Sequence, residues 1–146
     1  MYAHLAAIAA LAPVGVHVYD TDVERPQYNP ADWSGTWTTA DKQAWSLPDR
    51  YIILTAPSFR EQASTLSRVR LDVDDYLQVT AVESTPRGAR WLQEAVRVAF
   101  DRAKPVLTGF NTDLHFSASG IHAVDRELSP HRYYSVDTYR YKATPA

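Results

Sequence analysis

Asp72, Asp74 and Asp75 form the densest carboxylate cluster of this chain. On a strand, Asp72 and Asp74 would share one face, where two carboxylates can hold a hard cation through oxygen ligands. The competing reading is a solvated strand start, with Asp74 and Asp75 keeping a sheet edge from pairing with strangers. The second reading needs no ion and is preferred. Ser135, His131 and Asp137 supply the residue types of a nucleophilic triad, but such a set can be assembled from almost any chain. The five histidines, His4, His17, His115, His122 and His131, lack the paired spacing of a zinc-binding helix. Without cysteine there is no thiolate site and no disulfide framework. No G-x-S-x-G, phosphate loop, H-E-x-x-H or dinucleotide fingerprint occurs. The expectation is a protein without catalytic, metal or cofactor-binding residues, and not an enzyme.

Other residue types point to contact with proteins. Arg60, Arg68 and Arg70 cluster in the polar stretch 58–70, and Arg126 and Arg132 flank Glu127 further on. As solvated charges they need no explanation; as electrostatic contacts they would steer a partner. Trp33, Trp37 and Trp45 are three of the four tryptophans, and they fall in a stretch otherwise built of Pro, Gly, Ser, Thr, Asp and Asn. Large aromatics gain by burial. The stretch is therefore a loop folded over its own core or an arm docking on a neighbouring subunit, with a solvated linker as the third reading. These eight residues are the candidate protein interface.

The charge excludes several classes. Fifteen basic and 17 acidic residues give a net charge of −2, with no long block of one sign. A dedicated nucleic-acid binder needs a concentrated basic surface to release counterions, and a polybasic membrane anchor needs the same. The opening MYAHLAAIAALAPVG lacks the basic start of a signal peptide and reads as a short helix with Leu5, Ile8 and Leu11 inward, ended by Pro13 and Gly15. No stretch has the ~18 apolar residues of a bilayer span.

The elements that would position these groups are legible in outline. Residues 14–19 read as a short strand with His17 turned away from the apolar face. Residues 51–56 read as a buried strand ended by Pro57. Residues 72–82 alternate as a half-buried strand, paired with it through a long hairpin tipped by 58–70. Thr85-Pro86 supplies a cap oxygen and a proline at the first helical position. From there Trp91, Leu92, Ala95, Val96, Ala99 and Phe100 fall at helical spacing, with pairs Arg90–Glu94 and Arg97–Asp101 outside. Residues 106–109 read as a short strand or turn, 114–119 as a weak strand, 121–132 as a polar connector and 133–142 as a strong tyrosine-rich strand. This predicts one α+β domain over residues 1–146. Its sheet is small and mainly antiparallel, with two helices packed on one face, a long tryptophan-rich loop insertion at 21–49 and a hairpin extension.

The second half, LQVTAVESTPRGARWLQEAVRVAF followed by a Gly-containing turn and VDRELSPHRYYSVDTYRY, resembles the tail terminator proteins of long-tailed, siphovirus-type bacteriophages. The small versions carried by actinobacterial phages are the most similar. Gln78, Val79 and Thr80, Trp91 early in the helix, and Val136-Asp137 and Tyr139 in the closing strand carry the resemblance. The front half agrees in layout, with Asp49-Arg50-Tyr51 where the family has a proline-tyrosine pair. The segment 22–48 is longer than the family pattern.

The resemblance implies a structural virion protein, assembled in the host cytoplasm and placed at the head–tail junction. Such proteins form a homohexameric ring that caps the tail tube, ends its polymerisation and meets the head-closure or connector protein. DNA passes through the lumen without specific binding, so acids should outnumber bases on the axis-facing surface. A cyclic ring needs two different adhesive surfaces per chain, for which the tryptophan loop and the 58–70 region are candidates. The alternatives are a head-closure or head–tail adaptor protein and, more remotely, a small cytoplasmic enzyme.

Overall fold

The computed structural model describes residues 3–20, 50–56, 73–126 and 131–146. Seven elements follow in order: α1 (Ala3–Ala9), β1 (His17–Asp20), β2 (Arg50–Thr55), β3 (Val73–Glu83), α2 (Pro86–Phe100), β4 (Phe110–Asp125) and β5 (Arg132–Pro145). They build an α+β fold with one five-stranded sheet in the order β1-β2-β3-β5-β4. Only β1 and β2 are parallel; the remaining neighbours are antiparallel.

Both helices lie on one face, where the core sits. Alternation along β3 turns Leu77, Val79 and Ala81 inward, and the register sets them beside Tyr139, Asp137 and Ser135 of β5. Ile52 and Leu54 of β2 continue the same rows. Leu5 and Ile8 of α1 and Leu92, Val96 and Phe100 of α2 close over them in one cluster. Phe100 and Phe116 both meet the Tyr139 ring edge-to-face at 5.7 Å, the arrangement aromatic quadrupoles favour.

The start of α2 matches its sequence signal. Thr85 is extended at the cap, its hydroxyl accepts from the Gly88 N–H at 3.0 Å, and Pro86 opens the helix. The helix stops at Asp101, and the chain reverses through Arg102 at φ 59°, a left-handed position more often given to glycine.

Several expectations are corrected. Trp91 is 51% exposed, because the inward stripe of α2 is already filled by Ala89, Leu92, Gln93, Val96 and Phe100. Arg97 turns to Asp137 rather than to Asp101; an Arg preceding an Asp by four is the weaker orientation, and the buried carboxylate is the stronger attractor. Within the connector expected over 121–132, residues 121–125 and Arg132 are strand. β4 runs to Asp125 and pairs with nearly the whole of β5, with register shifts between Phe116 and Ala118 and between Ser119 and His122. Its Ser-Ala-Ser-Gly run has poor strand propensity, but the unpaired backbone of β5 demands a partner. Gly120 is required in the second irregularity, where a Cβ would stand 2.6 Å from the Val136 carbonyl oxygen. β3 is an interior strand, so edge protection is not the role of Asp74.

One pH response follows from how α1 docks. His4 Nδ1 lies 2.7 Å from the Tyr141 hydroxyl, and its ring stands edge-on to Phe110 and Tyr141. Burial lowers its pKa from the ordinary 6.5, so the fold favours the neutral ring. The unfolded chain then takes up this proton first as pH falls. The contribution is complete above 6.5 and is lost as pH drops below it toward the folded value. The urea midpoint should therefore decline as pH falls below 6.5, and His4→Leu should flatten that decline. An equal slope in both proteins would contradict it.

Candidate interaction surfaces

The two described carboxylates that could have done chemistry, Asp74 and Asp137, are engaged otherwise. Asp74 forms a fork with Arg140, Nε to Oδ1 and Nη2 to Oδ2, both at 2.8 Å. That guanidinium holds its carboxyl below the usual range. With both oxygens taken, Asp74 is not a cation ligand here, and Asp72 lies outside the described residues. Among the described residues no group of His, Asp and Glu is arranged to hold a metal. The Ser135–His131–Asp137 set does not form a triad: Ser135 and Asp137 are buried beneath α2, and His131 is exposed. Three buried or half-buried tyrosines are moved further from acid–base work near neutrality. Burial pushes Tyr141 up to about 12 and Tyr139 and Tyr19 upward as well.

Two polar constructions stand out instead. The first is a network between α2 and the sheet. Gln93 Nε2 donates to Asp137 Oδ1 at 2.8 Å and to Ser119 Oγ at 3.3 Å. Arg97 Nη2 reaches Asp137 Oδ2 at 3.2 Å, and its guanidinium lies 4.1 Å above the Phe116 ring. A buried carboxylate is tolerated because both oxygens are satisfied. The network ties the helix to β5 and β4 at a fixed height.

The second lies where α2 begins. Glu83 is buried at the end of β3, and Arg50 Nε approaches its Oε2 at 3.3 Å. The same guanidinium sits 4.8 Å from the centre of the Trp91 ring. Arg50 therefore joins a buried acid to a half-exposed indole. Sequence reasoning missed this unit because its three members come from β2, β3 and α2.

Of the eight candidate interface residues, Arg126 and Arg132 are described. Arg126 is exposed immediately after β4. Arg132 is only 4% exposed at the start of β5, where it is opposite Asp125 in the register. It belongs to the fold's interior and is not a free surface cation. Trp33, Trp37, Trp45, Arg60, Arg68 and Arg70 lie outside the described residues.

Large apolar side chains reach the surface at Val14, Tyr76, Trp91, Val98, Val106 and Ile121. Trp91 and Val98, seven apart, share one side of α2. Among the described residues no helix is long and apolar enough to cross a membrane. No protein-family model, no curated protein and no solved structure matches this chain.

Proposed function

We propose that this chain is a tail-terminator-like structural protein of a long-tailed phage virion, acting as a homohexameric ring on the end of the tail tube. The observation that carries the reading is where the family-like residues fall. Gln78, Val79 and Thr80 are direct cross-strand partners of Thr138, Asp137 and Val136. Residues about sixty apart in sequence thus form one patch at the centre of the sheet, and α2, which carries Trp91, packs on β3 and β5. A resemblance in unrelated segments would have no reason to converge. The engaged state of Asp74 and Asp137 fits a structural role, because these carboxylates tie elements of the fold together.

In this reading the sheet and its two helices are scaffold, and the ring contacts use exposed side chains around it. Loss of the gene tests it against a head-closure role. Abnormally long tails on intact, filled heads are expected. Tails of normal length with heads that lose their DNA would sink the terminator assignment and favour the adaptor.

A further inference from the structure

β1 and β2 are parallel neighbours, so residues 21–49 must carry the chain from the end of β1 back to the start of β2, across one face of the sheet. Crossings of this kind are right-handed almost without exception. The sheet holds a second one, from β3 through α2 to β4. Those two strands are parallel to each other, since each is antiparallel to β5 between them. Both crossings step the same way along the order β1-β2-β3-β5-β4. They leave strands that point in opposite directions, because β1 and β2 run against β3. A single hand for both then requires opposite faces. α2 packs over the face that buries Leu77 and Val79, so residues 21–49 are assigned to the other.

The apolar part of that second face lies where the crossing passes. His17, Tyr51, Val82, Tyr134 and Ala123 form one row across all five strands, and Tyr19, Ile53, Thr80 and Val136 form the next across four. Both rows fall between the level of Asp20 and that of Arg50, the two ends of the crossing. The Tyr19 and Tyr51 rings meet edge-to-face at 5.4 Å. None of these side chains belongs to the cluster under the helices. Tyr51 and Val82 are nevertheless only 4% exposed, although neighbours within a sheet shield the flanks of a side chain and not its tip. Toward the start of β3 the same face turns polar: Arg140 and His115 join Tyr76 in one row, and Asp74, Lys142 and Asp113 form another.

We propose that the second face of the sheet is the docking surface for residues 21–49 of this same chain, whose tryptophans cover Tyr51, Ile53, Val82 and Tyr134. The stretch supplies what the face lacks, three large aromatics that gain by burial, and it exceeds the dozen or so residues that a crossing takes. The other connections have no need to cross a face: 57–72 and 127–130 each join antiparallel neighbours at one end of the sheet. A second copy is the weaker occupant, because Tyr51 and Val82 are this well buried in one chain alone. Tryptophans held there serve the fold and not a neighbouring subunit. The proposal rests on strand order and hand, and it stands whether or not the chain assembles into a ring.

The chain has no cysteine, so a single introduced thiol can carry a paramagnetic spin label at a chosen place. Gln78→Cys and Thr138→Cys, cross-strand neighbours, put the label on the second face beside the apolar rows. Val98→Cys puts it on the exposed side of α2. The full chain is ¹⁵N-labelled, and its four indole N–H signals are assigned with Trp33→Phe, Trp37→Phe, Trp45→Phe and Trp91→Phe. A label at position 78 or 138 should erase at least two of the signals of Trp33, Trp37 and Trp45. The label at position 98 should erase that of Trp91 and spare those three. An equal mixture of spin-labelled ¹⁴N chain and unlabelled ¹⁵N chain should lose none. The proposal is overturned if fewer than two of the three signals vanish under both second-face labels, if the position 98 label erases them as well, or if the mixture loses them equally, which would make a second copy the occupant.

Discussion

Asp137→Ala is expected to destabilise the protein by about 3 kcal/mol, the low end of the range for breaking a buried ion pair. The carboxylate accepts from Gln93 and Arg97, which come from successive turns of α2. Its removal leaves the buried amide of Gln93 with only the longer bond to Ser119 and opens a void between α2 and β5. The Arg97 side chain is about one-third exposed, so it can recover some water, which keeps the loss from reaching the upper end. Asp137→Asn should cost less, about 1–2 kcal/mol, because an amide oxygen can still accept from Gln93 while the charge is lost. Urea unfolding of the three proteins measures both. A cost below about 1 kcal/mol for the alanine variant would mean that the network contributes little to holding α2 on the sheet.

Gly88→Ala is expected to destabilise by about 1–2 kcal/mol, against the intrinsic preference of helices for alanine, which alone would stabilise by about 1 kcal/mol. Gly88 sits in the first turn of α2, and a Cβ there would stand 2.3 Å from Glu83 Cγ, 2.7 Å from its Cδ and 2.8 Å from Thr85 Oγ1. The glycine is therefore needed for space. An alanine must expel the Glu83 side chain, break its pair with Arg50 and crowd the capping hydroxyl. Most of the cost should vanish when the same change is made in Glu83→Ala, with the remainder due to Thr85. Equal costs in the two backgrounds would show that Glu83 is not the obstacle, since the double-mutant cycle isolates that pair.

What the sequence disclosed follows from which signals were local. The Thr85-Pro86 cap, the apolar spacing of α2, the alternation of β3 and the tyrosine-rich β5 each depend on neighbours a few residues away, and each appears as read except that Trp91 lies outside the stripe of α2. β4 was half missed. Its residues 117–122 are small, polar or exposed and become strand only because β5 offers a ladder. The parallel alignment of β1 with β2 was equally unreadable, since it joins strands separated by 29 residues.

The site-level misses have the same origin. Asp137 sits in phase with Tyr139 and Tyr141 on the inward side of β5, and Gln93 interrupts the apolar stripe of α2. Two polar residues at inward positions on separate elements are a signal that they meet, and that signal was available. The placement of Arg50 against Trp91 and Glu83 was not, because strand order alone brings β2 and α2 to the two sides of the end of β3.

The central claim is that this chain works as a closed ring on a tube end. The most direct test is electron microscopy with mass measurement by light scattering, on the purified chain alone and after mixing with tail tubes of the long-tailed phage the proposal implies. The reading predicts a ring of six copies capping the tube ends, whether or not the free chain is monomeric. Monomers at every concentration, with tube ends left bare in the mixture, would contradict it.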